Sequence, residues 1–340
     1  MKKFSNYDKI GIVKTIELKG SLYMELKSFP GYEDHLFSNL ADDSEKTLMH
    51  KKAQGEAMMT YELPEGMTME DRTIPGPEEG QELLIRVFTP AGLPEKAPMI
   101  LDIHGGAFVA GTVAFDNARC IGIAERVPAI VVSVEYRLCG ASGYSFPIPL
   151  DDCHAAYMYL HNHAEEFGGD PERMGLHGSS AGGTLAEGLA LYLRDHNEPM
   201  PALTVLNCPT FDTAIEETFS FQQLTQLKMG PANKALGAEA AYLGGYNGQQ
   251  PSYYAFPAFC HDIGGLGPTM IIAGEYDTLR DSAWNYGQRL LRAGVPMEFF
   301  LAPRLGHTFT AAPHPYTDFV HDMMAWSFKR EFGLLDNLKK

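Results

Sequence analysis

Arg173-Met174-Gly175-Leu176-His177-Gly178-Ser179-Ser180-Ala181-Gly182 is a short, partly apolar run that breaks into a glycine–serine turn. Gly169-Asp170-Pro171 before it is a turn signal. Residues 181–196 after it repeat Leu185, Leu189, Ala190 and Leu193 at helical spacing. Strand, sharp turn, helix is therefore the expected order, and in that context G-x-S-x-G throws a serine hydroxyl out on a strained elbow. With 34 glycines among 340 residues the pentapeptide says little alone, so its flanks carry the inference. Gly178 and Gly182 let strand and helix approach closely because neither has a Cβ. The N–H of Ala181 would point at a developing oxyanion from the helix N-terminus, where the dipole also favours negative charge.

The rest of the chain repeats the alternation. Met99–Ile103 reads as a buried strand that ends at His104-Gly105-Gly106-Ala107, a loop whose Gly105 and Gly106 amides are placed to hold an oxyanion. Ala129–Val134, Met174–His177, Leu203–Asn207, Met270–Ala273 and Met297–Leu301 supply further strands, and Met67–Ile74 with Glu82–Thr89, split by Pro75-Gly76-Pro77, reads as a hairpin. Helices are expected after Pro149, with Asp151 or Asp152 near the start, and over Asp281–Ala293 and Asp318–Phe332. Strands alternating with helices imply an α/β fold with a mainly parallel sheet covered on both faces. Residues 210–257 break this rhythm with Phe211, Phe219, Phe221, Tyr242, Tyr246, Tyr253 and Tyr254, the pattern of a lid more than of a plain loop. Residues 1–65 carry no catalytic motif and read as an N-terminal cap region, its first dozen residues flexible. The expected division is a cap over 1–65, a core over 66–209 and 258–340, and a second cap insertion over 210–257.

Ligands of open α/β sheets bind beyond the carboxyl ends of the strands. Two later strand ends carry the residue types that a serine nucleophile needs. Met270–Ala273 runs into Gly274-Glu275-Tyr276-Asp277, and Met297–Leu301 into Ala302-Pro303-Arg304-Leu305-Gly306-His307. The order Ser180, Asp277, His307 suits a base that takes the serine proton and a carboxylate that fixes its tautomer. Glu275 would point to the other side of a continuing strand, and Asp281 sits where a helix cap belongs. His314, in Ala312-Pro313-His314-Pro315, is the rival for the base; the stretch reads as the start of the last helix and His314 as a surface residue. His154, His161 and His163 lack the i, i+4 geometry of helical zinc motifs. His104 is expected to hold its loop by hydrogen bonding. Gly264-Gly265-Leu266-Gly267 lacks the strand and helix of a dinucleotide site and reads as a loop. No cofactor and no metal are expected.

The formal net charge of −16 argues against a nucleic-acid partner and against anionic membrane surfaces. No stretch reaches the roughly 18 apolar residues of a membrane span. The N-terminus shows no apolar core of a secretory signal. Five cysteines, with no CxxC, fit reduced thiols in a cytoplasmic protein better than a disulfide framework.

These residues resemble the bacterial hormone-sensitive lipase family of carboxylesterases within the α/β-hydrolases. The resemblance rests on His104-Gly105-Gly106-Ala107-Phe108, Tyr136-Arg137-Leu138, Phe146-Pro147 with Leu150-Asp151-Asp152, Gly169-Asp170-Pro171, Gly178–Gly183, Asp277-Thr278-Leu279-Arg280-Asp281 and Gly306-His307-Thr308-Phe309, in order over about residues 65–330. It implies an α/β-hydrolase fold with an eight-stranded sheet and a helical cap. It implies a triad of Ser180, Asp277 and His307 and an oxyanion hole of the Gly105, Gly106 and Ala181 amides. It implies a small-molecule ester substrate with a short or medium acyl chain, acetylated carbohydrates or plant-derived esters being the narrower alternative. A non-catalytic receptor on the same fold would be expected to lack the histidine that His307 supplies. Pairing through the edge strand near Met297–Leu301 would give a homodimer. Two departures from the family pattern, Ser179 before the nucleophile and Cys139-Gly140-Ala141 after Leu138, leave acyl preference open.

Overall fold

The computed structural model describes residues 62–227, 234–245, 250–311 and 314–335, with short pieces of the segment before residue 62. Most of the expected N-terminal cap therefore lies outside the described residues. Within it, β1 (Val13–Ile16) and β2 (Met24–Lys27) form a separate antiparallel pair.

The main sheet has eight strands: β3 (Thr68–Pro75), β4 (Glu82–Thr89), β5 (Ala97–Ile103), β6 (Ile130–Val134), β7 (Gly169–Ser179), β8 (Leu203–Asn207), β9 (Thr269–Gly274) and β10 (Met297–Ala302). Their spatial order is β10-β9-β8-β7-β5-β6-β4-β3. From β10 to β6 every neighbouring pair is parallel, whereas β6–β4 and β4–β3 are antiparallel. The hairpin expected from Pro75-Gly76-Pro77 is thus β3–β4, at one edge.

The central strands are apolar on both faces because both faces are covered. Met99, Leu101 and Ile103 of β5 join one core, while Ile100 joins the other. In β6, Ile130, Val132 and Val134 face the first core and Val131 the second. Helices α2 (Ile148–Asn162), α3 (Ala181–Asp195) and α6 (Arg280–Arg292) cover the first face; α1 (Asn117–Arg126) and α7 (Pro315–Glu331) cover the second. All five cysteines are buried free thiols. Among the described residues no helix is long and apolar enough to cross a membrane.

Three expectations need correction. The strand read as Met174–His177 spans Gly169–Ser179, because Gly169 already pairs with Ala97 across a register shift. The last helix begins at Pro315, as the reading of the His314 stretch as its start has it, and not near Asp318. Proline is preorganised for the first helical position, and His314 Nδ1 accepts from the Tyr316 N–H at 3.0 Å as the cap. His314 is accordingly half-buried, its ring 4.1 Å from that of Tyr32, and not a free surface residue.

Between β8 and β9 the chain leaves the sheet for some sixty residues. This insertion carries α4 (Phe219–Gln226) and α5 (Lys234–Tyr242). It is tied to the core at several points. Tyr242 stacks on Phe108 with centroids 3.9 Å apart and 3° between planes. The Ser220 N–H donates to Asp281 Oδ2 at 2.7 Å, and its hydroxyl donates to the Thr278 carbonyl at 3.0 Å. Asp281, weighed above as a capping residue, thus anchors the insertion to the first turn of α6.

Candidate active site

The site forms where β5, β7, β8 and β9 end. Ser180, between β7 and α3, has φ 54° and ψ −120°, a backbone conformation that costs a non-glycine residue of order 1–3 kcal/mol. Two contacts hold it there. The Ser180 N–H donates to the Asn207 carbonyl at the end of β8, at 2.8 Å. Gly178 and Gly182 let the turn close: a Cβ on Gly178 would lie 2.2 Å from the Gly182 carbonyl oxygen, and one on Gly182 would lie 1.9 Å from that of Ile103.

The resulting contacts form a chain. Ser180 Oγ is 2.8 Å from His307 Nε2. His307 Nδ1 is 2.8 Å from Asp277 Oδ2. The other carboxylate oxygen of Asp277, 1 % exposed, accepts the Leu279 N–H at 2.9 Å. Burial disfavours the imidazolium of His307, but the Asp277 carboxylate and the Cys208 thiol outweigh it and raise its pKa above the usual 6.5. Glu275 turns away: its Oε2 accepts the Arg304 N–H at 2.7 Å.

The loop after β5 lies against the serine. A Cβ on Gly105 would be 3.3 Å from Ser180 Cβ, so the Gly105 backbone lies directly against Ser180. Gly106, Ala107 and Phe108 follow with φ of 132°, 54° and 64°, and the loop closes on itself through Ala110 N–H to Gly106 O at 2.9 Å. Gly105, Gly106 and Ala181 line one cavity with Ser180 and His307. Among the described residues no backbone acceptor takes their N–H groups. His104 plays the structural part expected of it. Its Nδ1 is 2.8 Å from the Gly105 carbonyl, its ring stacks on Tyr136, and its own carbonyl accepts the Tyr136 hydroxyl at 3.0 Å.

The cavity has a volume of about 500 Å³. Phe108, Val109 and Phe115 of the β5 loop form part of its wall; Ile215, Phe221, Ala238 and Glu239 come from the insertion. Asp116 and Arg119 also line it, paired with each other at 2.6 Å and each nearly inaccessible to solvent. Cys208, at the end of β8, is buried beside His307, and burial pushes its thiol pKa up. Cys208, Asp277 and His307 bring donor atoms within 4.8 Å of one another. Both His307 nitrogens already face Asp277 and Ser180, so the group is arranged as a hydrogen-bond relay.

Asp116, Arg119, Cys208 and Glu239 were not identified from the sequence. For Arg119 a signal existed, a charged residue three positions from Asp116 at the head of the apolar run Cys120-Ile121-Gly122-Ile123-Ala124. The other histidines stay apart from the site. His154 pairs with Glu198 at 2.6 Å and His163 with Glu166 at 2.9 Å, while His161 contacts Asn162. Gly264–Gly267 forms a loop whose Gly264 carbonyl accepts from Arg194.

Residues 100–311 match the family model described as alpha/beta hydrolase fold. The esterase LipI of Mycobacterium tuberculosis is 32 % identical over 232 residues, covering 66 % of this chain and 70 % of that protein. An arylesterase of Saccharolobus solfataricus is 25 % identical over 278 residues, covering 81 % and 89 %. A bacterial heroin esterase superposes with a TM-score of 0.76 at 30 % identity, covering 88 % of this chain and 93 % of the other. The fold and the site define a member of the α/β-hydrolases. Within them the chain belongs to the hormone-sensitive-lipase-type carboxylesterases, which are carboxylic ester hydrolases.

Proposed function

We propose that the protein hydrolyses small carboxylic esters through an acyl-enzyme on Ser180. Ser180 Oγ attacks the ester carbonyl while His307 Nε2 takes its proton. The carbonyl oxygen, now negative, receives the N–H groups of Gly105, Gly106 and Ala181, which stabilise charge that exists only as the transition state is approached. Collapse of the tetrahedral intermediate expels the alcohol, which takes the proton back from His307. Water then repeats the sequence on the acyl-enzyme with His307 again as base, and Asp277 holds the imidazole tautomer throughout.

The observation that carries this reading is the pair of 2.8 Å contacts from Ser180 through His307 to Asp277, opening into a cavity lined by Gly105, Gly106 and Ala181, whose N–H groups meet no backbone acceptor among the described residues. The cavity's modest volume and the insertion helices across it support short or medium acyl chains, acetyl esters included. The residues 210–257 act on this reading as a cap. The outer edge of β10, with Leu301 exposed, is the surface for pairing with a second copy, and the buried free thiols suit a reducing cytoplasm.

A panel of p-nitrophenyl esters from acetate to palmitate, with Ser180→Ala alongside, tests the reading. Turnover peaking at or below about eight acyl carbons and a loss of about 10³-fold or more in the variant are expected. Esterase activity surviving in Ser180→Ala would overturn the mechanism, and a maximum at palmitate would overturn the chain-length preference.

A further inference from the structure

The insertion contributes one group to the cavity that ester hydrolysis does not use. Glu239 on α5 lines the cavity and is 8 % exposed, yet no donor or cation pairs with its carboxyl among the described residues. Charged groups of the protein are seldom buried without a partner, because desolvation is then uncompensated. The other charged groups on the wall are already matched: Asp116 with Arg119, and His307 with Asp277. Asp212 and Glu216, from the same insertion, add negative potential at Glu239 and supply no compensation. Burial, then these two carboxylates, push the Glu239 pKa up to about 8. The remaining wall is mainly apolar, with Phe108, Phe115 and Phe221 among its residues and Thr210, Thr278 and Thr308 as uncharged hydroxyls. Aromatic faces together with one unmatched carboxyl are the chemistry that receives an ammonium group, through cation–π contact and a counter-ion.

We infer that the pocket selects esters that carry an ammonium group, with the Glu239 carboxylate as its counter-ion and the phenylalanine rings as its cage. This rests on the ester-hydrolysis reading above. A cationic substrate stabilises the ionised form of Glu239, so selection strengthens as pH rises towards and past 8.

Two isosteric pairs test it at pH 8.5, one with the charge on the alcohol side and one with it on the acyl side. The first is acetylcholine against 3,3-dimethylbutyl acetate. The second is p-nitrophenyl 4-(trimethylammonio)butanoate against p-nitrophenyl 5,5-dimethylhexanoate. In at least one pair kcat/KM for the cationic ester should exceed that for its neutral isostere by about tenfold or more. That ratio should fall to about one in Glu239→Gln and below one in Glu239→Lys. A merely structural role for Glu239 would change both members of a pair together and leave the ratio where it was, which overturns the inference. A ratio near one in both pairs for the unsubstituted protein overturns it equally. Absence of turnover on p-nitrophenyl acetate would instead remove the ester-hydrolysis reading, and this inference with it.

Discussion

Gly182→Ala is the most informative single substitution outside the proposed triad. The added Cβ would lie 1.9 Å from the Ile103 carbonyl oxygen and 2.5 Å from that of His104, where non-bonded approach stops near 3.0 Å. The start of α3 and the end of β5 must therefore part by roughly 1.1 Å. No flexible side chain can absorb this, since Ile103 is paired with Val134 on one side and Gly178 on the other. The displacement enters the gap between the Gly105 loop and Ser180. Overpacking of this kind costs about 1–3 kcal/mol, and a misplacement of about 1 Å at reacting groups costs on the order of 10² in rate. The assay is kcat/KM on p-nitrophenyl butyrate with the urea midpoint measured in parallel. Gly287→Ala serves as the control, because its Cβ would meet Ile271 Cδ1 at 3.4 Å and Met297 Cε at 3.5 Å, ordinary contacts inside α6. It should keep its activity and gain about 0.5–1 kcal/mol from helix propensity. Gly182→Ala with kcat/KM within about threefold of the unsubstituted protein would refute the idea that this close approach sets the elbow.

Asp277→Asn should lower kcat by about 10⁴-fold, as expected when the tautomer of the base is no longer fixed. Asp281→Asn, whose carboxylate accepts from Arg280 and the Ser220 N–H among the described residues, should cost far less, and the reverse order would reassign the acid. Because Asp277 raises the His307 pKa, kcat/KM for a neutral ester should climb with pH along a limb above 6.5; a limb below that value would contradict the coupling. Burial raises the Glu187 pKa to about 7 in the folded protein against an ordinary 4.5, although the Tyr286 hydroxyl donates to it at 2.9 Å. The folded state thus holds this proton more tightly. Its contribution is fully present below about pH 4.5 and is lost as pH rises through 7, a span of up to about 3 kcal/mol. Urea titrations at pH 4.5 and 8 should show Glu187→Gln gaining on the unsubstituted protein by that order, and parallel pH dependence in the two would contradict it.

The elements that the sequence made legible are those whose signals are local. Met99–Ile103, Leu203–Asn207 and Met270–Ala273 are largely apolar on both faces, so each reads as a central strand from four or five residues. Ser180 follows its strand directly, Asp277 follows Thr269–Gly274 by three residues and His307 follows the edge strand Met297–Ala302 by five, and this is why the site could be assembled from strand ends. Residues whose position depends on distant partners were illegible. Glu239 reaches the cavity only because its helix folds back over the β5 loop, with Tyr242 stacked on Phe108. Cys208 adopts φ 50° just beyond β8 and meets His307 across ninety-nine positions of sequence. The early start of β7 depends on pairing with Ala97, and the capping by His314 depends on its ring orientation, which no pattern of apolar residues encodes.

The central claim is that Ser180 is the acylated nucleophile. Reaction with diethyl p-nitrophenyl phosphate, followed by intact mass and peptide mapping, reads this directly. One diethylphosphoryl group per chain on the peptide containing Ser180, formed in step with loss of esterase activity and absent in Ser180→Ala, is the expected result. Complete inactivation with that peptide unlabelled, or label on another residue that tracks the loss, would contradict it.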